Sequence, residues 1–188
     1  MPNYCSNNVT MLNGEDILPY IEQYLIQTGD PDGETNLDFA KIVPKNDSEE
    51  YTDEWNVENW GTKWGCMDGF VQDTGGIYFN TAWSPACPII QKLSELIGES
   101  LRLTYLEEGM GFCGEYIANP DGTYSDKEYD DLENVPDSLK EELGLNEREE
   151  YEEEEDRCGN MGLNAERYYE KIHGILHSGY RRTIHCGI

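Results

Sequence analysis

Residues 76–98 read GIYFNTAWSPACPIIQKLSELIG, and the reading of this stretch decides the fold. Ile77 and Phe79 alternate with Tyr78 and Asn80, the period of two that suits a half-buried strand, so 76–82 is predicted as a strand. Ser84-Pro85 and Cys87-Pro88 end the strand and start a helix, because the amide that proline lacks can be spared only in a helix's first turn. Ile89, Ile90, Leu93, Leu96 and Ile97 recur at helical spacing, and Gly98 supplies the stop.

Downstream, Leu101, Leu103 and Tyr105 alternate in a further strand, and Phe112 to Ala118 makes another that turns at Asn119-Pro120-Asp121-Gly122. Upstream, Tyr4 to Leu12 looks like a first strand. It leads through Asn13-Gly14 into EDILPYIEQYLIQ, where Ile17, Ile21, Tyr24 and Leu25 predict a helix capped by Asp16, with Pro19 in its first turn. That helix is expected to end near Gln27, ahead of the breaker-rich residues 28–33. The short segment FAKIVP (39–44) and an acidic loop lead to ENWGTKWG (58–65). The order is strand, helix, strands, helix, strand, strand, the βαββαβ order of a ferredoxin-like α+β sandwich.

The 188 residues suffice for one domain with an appendage, and the formal net charge is -26. That charge is uneven. Residues 1–124 hold five cations and 21 carboxylates, 125–156 three and 16, and 157–188 five and two. The chain therefore divides into a ferredoxin-like domain (1–124), an acidic segment expected to be mobile or ordered by a partner (125–156), and a basic helix and tail (157–188). Such a charge repels nucleic acids and anionic membranes, so a direct nucleic-acid or membrane binder is not expected. MPNYCSNNVT has neither the basic nor the apolar region of a signal peptide, no apolar run has membrane-spanning length, and the six cysteines lack a C-x-x-C pair. A cytosolic protein with reduced thiols is expected.

PNYCSN, FAKIVP, ENWGTKWG, TAWSPACPII and YLEEGMGFCGEY occur here in one order, over residues 1 to about 118. In these five motifs the chain resembles the YubB-type ferredoxin-like proteins, a family encoded largely by phages and plasmids. It departs from them at Tyr4, where a tryptophan is usual, and at Ala86, where a second proline is usual. The resemblance implies a fold and a mobile-element setting, and it carries over no catalytic residue.

Four places could carry chemistry. In ENWGTKWG, Trp60 and Trp64 either clamp a core corner around Gly61 or, with Trp83 and Glu107, line a small-ligand pocket near Lys63, where aromatic walls and a cation would suit a nucleotide. Glu107-Glu108 could act as acid and base, but neighbours on a strand point to opposite faces, and no histidine lies nearby in sequence. His173 and His177 have the helical spacing of zinc ligands, with Cys158, His185 and Cys186 around them. Without a C-x-x-C partner a solvated helix is the reading, so no metal or cofactor is expected. Finally, EREEYEEEED (147–156) presents Glu147, Glu149, Glu150, Glu152, Glu153, Glu154, Glu155 and Asp156. This dense array predicts a non-enzymatic protein that binds a basic host protein or nucleoprotein complex by imitating a nucleic-acid backbone, and so inhibits it.

Overall fold

The computed structural model describes residues 3–27, 35–45, 52–131 and 134–146. A six-stranded antiparallel sheet runs β4-β5-β1-β6-β7-β8, built from β1 (Tyr4–Met11), β4 (Met67–Val71), β5 (Ile77–Ala82), β6 (Leu101–Glu107), β7 (Phe112–Ala118) and β8 (Tyr124–Tyr129). Its first four strands, in the order β4-β5-β1-β6, make the ferredoxin-like core. β1 lies between β5 and β6 and is antiparallel to both, and α4 (Cys87–Ile97) carries the chain over it from β5 to β6. The ferredoxin-like α+β expectation is met, and β7 and β8 widen the sheet beyond it.

Alternation along the strands separates two faces. Cys5, Asn7, Val9 and Met11 of β1, paired with Glu107, Tyr105, Leu103 and Leu101 of β6, point toward α4 and are all buried. The α4 residues Ile89, Ile90 and Leu93 are fully buried against them. Proline near the start and Gly98 in the left-handed conformation (φ 77°) bound this helix as the sequence predicts. Its first turn is held from the sheet: Asn7, fully buried, accepts a hydrogen bond from the Ala86 amide (3.2 Å) and donates to Cys5 O and Thr81 Oγ1.

The first helix is shorter than its periodicity predicts. Asp16 accepts from the Leu18 amide (3.0 Å), and α1 (Leu18–Ile21) passes into a 3-10 turn at Glu22–Tyr24. The chain then extends as β2 (Leu25–Gln27) against β3 (Thr35–Leu37). The reason is competition for backbone partners: the Asp38 amide takes the Tyr24 carbonyl at 2.7 Å, which a continuing helix would need for its own ladder. FAKIVP contains α2 (Phe39–Ile42), capped by Asp38. ENWG is the end of α3 (Asp53–Trp60), whose Thr52 cap accepts from the Trp55 amide and which Gly61 closes at φ 78°. No other residue serves at Gly61, because a Cβ there would meet Pro88 Cδ at 2.6 Å in addition to the backbone strain.

The sheet also runs past the boundary drawn at residue 124, which is the first residue of β8. α5 (Asp137–Glu142) follows and covers the face of the sheet away from α4, where Leu106, Cys113, Val135, Leu139 and Leu145 form a second, smaller apolar cluster. Residues 125–131 and 134–146 of the acidic segment thus contribute structure, while 132–133 and 147–188 lie outside the described residues. Among the described residues no helix is long and apolar enough to cross a membrane.

Candidate functional site

The four tryptophans take different roles. Trp60 is buried and packs edge-on against Phe39 (5.8 Å) and Trp55 (5.7 Å), and its indole nitrogen donates to Val43 O at 3.2 Å. Trp64 and Trp83 are 39% and 45% exposed, so their rings face water. Thr62 ties their backbones together: its buried hydroxyl donates to Ala82 O (2.9 Å) and accepts from the Ala82 amide (3.1 Å), as a neighbouring strand would. Ser84 Oγ donates to Gly61 O beside it.

Lys63, the cation proposed for an anionic ligand, is paired with Asp53 at 3.0 Å and lies over the Trp64 ring, 5.6 Å from its centre. Glu107 is completely buried on the α4 side; its Oε2 accepts from the Met110 amide and its Oε1 has no partner. The five residues expected to line one pocket are therefore spread over three environments. Trp60 is in the core, Glu107 is buried opposite Cys5, and Lys63, Trp64 and Trp83 share an exposed end of the sheet. The sequence could not separate the indoles because both flank the same glycine turn.

Around Glu107 the side chains are chemically quiet. Burial, then the neighbouring Cys87 and Glu107, push the Cys5 thiol far above its ordinary range, and burial followed by Asp126 raises Cys87 to about 12. Neutral thiols of this kind are poor nucleophiles. Glu108 is exposed where Glu107 is buried, so the two carboxylates do not converge. Among the described residues no group of His, Cys, Asp and Glu is placed to hold a metal ion. His173, His177, His185, Cys158 and Cys186 lie outside the described residues, as do Glu147, Glu149, Glu150, Glu152, Glu153, Glu154, Glu155 and Asp156.

The exposed end has a composition that the sequence did not single out. Tyr4, 50% exposed, pairs with Ala82, and the Trp83 amide donates to Asn3 O at 3.0 Å, so the Tyr4 and Trp83 rings emerge from adjacent backbone. Trp83 holds φ 73°, a left-handed conformation that costs a bulky residue roughly 1 to 3 kcal/mol. Gly109 packs against the Asn3 side chain, which brings the neighbouring Glu108 to the same end. Asp68, also exposed, accepts from Asn80 Nδ2 at 3.1 Å. Both carboxylates act on Tyr78, whose hydroxyl is pushed up to about 12 by burial first and then by Glu108 and Asp68.

On the sheet face away from α4, charge holds α5 in place. Arg102 makes a two-pronged pair with Glu142 (2.9 Å each), bonds Glu115 at 2.6 Å, and Thr104 donates to Glu142 at 3.2 Å. Burial works against the guanidinium's charge, but the hydrogen bonds it donates to Glu142 and Glu115 prevail and leave its pKa above the usual value.

Sheet order, crossover and helix layer define a ferredoxin-like α+β protein. The family described as the ferredoxin-like domain in Api92-like protein matches residues 59–159, more than half of the chain, and the chain belongs to it. Among solved structures, the protein api92 from Yersinia pseudotuberculosis is similar over 52% of this chain and 41% of its own, with 16% identity and a TM-score of 0.43. No curated protein sequence matches the chain.

Proposed function

We infer that the chain is a non-enzymatic binding protein of the YubB type, from a phage or plasmid, that acts in the cytosol of a bacterial host. It binds a basic host factor, one that defends the cell or processes nucleic acid, and inhibits it by offering carboxylates where that factor expects phosphates. One observation carries the reading. Each lysine and arginine among the described residues is already engaged: Lys41 with Gln23 O, Lys45 over Trp55, Lys63 with Asp53, Lys92 with Glu95, Arg102 with Glu115 and Glu142, Lys127 with Glu115, and Lys140 likewise partnered. Against a net charge of -26, Asp126, Glu128, Asp130, Asp131 and Glu141 stand exposed, next in sequence to the EREEYEEEED block. An array of this kind complements a groove of Arg and Lys and speeds encounter with it. The rival reading, a nucleotide pocket at Lys63, is disfavoured because Asp53 already neutralises that cation.

The test replaces Glu152, Glu153, Glu154 and Glu155 by glutamine and measures binding to the partner captured from host lysate at low and high salt. The substituted protein should bind more weakly and with a flatter salt dependence. Equal affinity and equal salt dependence would sink the mimicry. Tryptophan fluorescence titrated with nucleotides tests the rival.

A further inference from the structure

The exposed aromatic end of the sheet suits a more specific contact than bulk charge. We propose that Tyr4 and Trp83, flanked by Asp68 and Glu108, form a docking surface for an arginine side chain of the basic partner. The proposal rests on the reading above and adds to it a side-chain preference and a place.

Tyr4 and Trp83 expose half or nearly half of their surface from adjacent backbone, and a soluble protein gains nothing from such rings in water. The carboxylates beside them make the surface unsuited to an anion or to an apolar helix, and complementary to a cation. At this same end Lys63 already lies over the Trp64 ring with Asp53 beside it, so the chain itself satisfies one cation with an indole face and a carboxylate. Tyr4 and Trp83 bring two more exposed rings to this end, and the exposed carboxylates Asp68 and Glu108 both act on Tyr78 there. Arginine fits this surface better than lysine. Its planar guanidinium stacks on an aromatic face and still directs its N–H groups sideways to carboxylates, and it is the more weakly hydrated of the two cations.

The experiment titrates the full-length protein with octa-arginine and octa-lysine peptides, which carry equal charge, at two salt concentrations. Octa-arginine should bind about tenfold more tightly and quench tryptophan fluorescence. The Tyr4→Ala/Trp83→Ala double variant should bring the ratio of the two affinities close to one while octa-lysine binding stays as it was. Asp68→Asn/Glu108→Gln, which keeps the shape of the surface, should lower the ratio too, and circular dichroism checks that both variants are folded. Glutamine at 152–155 should weaken both peptides alike and preserve the ratio. A ratio near one in the unmodified protein, or a ratio that survives both variants, overturns the arginine surface while leaving the acidic reading intact. If neither peptide binds, the acidic reading itself fails and the surface falls with it.

Discussion

Trp60 and Trp64 share one motif and face opposite media, so truncating them should have unequal effects. Trp60→Ala removes a buried ring in contact with Phe39 and Trp55 and should cost about 3 to 5 kcal/mol in urea unfolding. Trp64→Ala should cost less than about 1 kcal/mol, since its ring is already partly solvated. Similar losses at both would mean that α3 is placed wrongly. Trp83→Gly relieves a positive φ as it removes an exposed ring, and its unfolding free energy should stay level or rise by up to about 1 kcal/mol. A clear loss of stability there would show that the ring packs more than its exposure suggests. At this scale the sequence singled out Trp60, Trp64 and Trp83. It could not tell core from surface, because which indole turns inward depends on α3, and α3 has almost no apolar periodicity of its own: Asp53, Glu54, Asn56, Glu58 and Asn59 occupy most of it.

The helix α4 was legible from its proline start, its apolar stripe and its glycine stop; start and stop hold in the structure, and of the stripe Ile89, Ile90 and Leu93 are buried while Leu96 is exposed. β8 was not. In YSDKEY every residue but the last is exposed, so no hydrophobic alternation marks it, and only its backbone pairing with β7 makes it a strand. The first helix was over-read for the converse reason, since Tyr24 and Leu25 keep helical spacing while their backbone serves β3. α5 provides the test at this scale. It is attached by a small apolar cluster and by the Arg102–Glu142 pair, so Glu142→Ala should cost about 1 to 2 kcal/mol through three lost hydrogen bonds. Cys113 lies fully buried in that cluster and reports on it. Its labelling by a thiol reagent, followed by peptide mass spectrometry, should speed up by roughly 5- to 30-fold in the variant. An unchanged rate would mean that α5 stays seated without the ion pair.

The whole molecule should be sensitive to alkali. Burial raises Cys5, Tyr78, Cys87, Tyr105 and Tyr116 above the ordinary 9.0 of a thiol or 10.0 of a phenol. In the unfolded chain these groups lose protons from about pH 9 upward, whereas the folded protein retains them, so their contribution is whole below that pH and declines above it. Urea midpoints should therefore fall between about pH 8 and about pH 10.5, with salt held near 0.5 M to screen the general repulsion. A flat profile would contradict the burial of these side chains. The central position of β1 has a consequence of another kind, in biosynthesis. β1 is made before either of its neighbours, and Tyr4 must wait for Ala82 and Met11 for Leu101. At 5 to 20 residues per second the ribosome needs on the order of ten seconds to deliver both flanking strands. Throughout that interval the emerging chain carries a strand with two open edges and an unclothed apolar side, Val9 and Met11 foremost. Nearly every pairing in the sheet's centre is distant in sequence, so even the released chain should fold in milliseconds to seconds, slower than a helical bundle of its size.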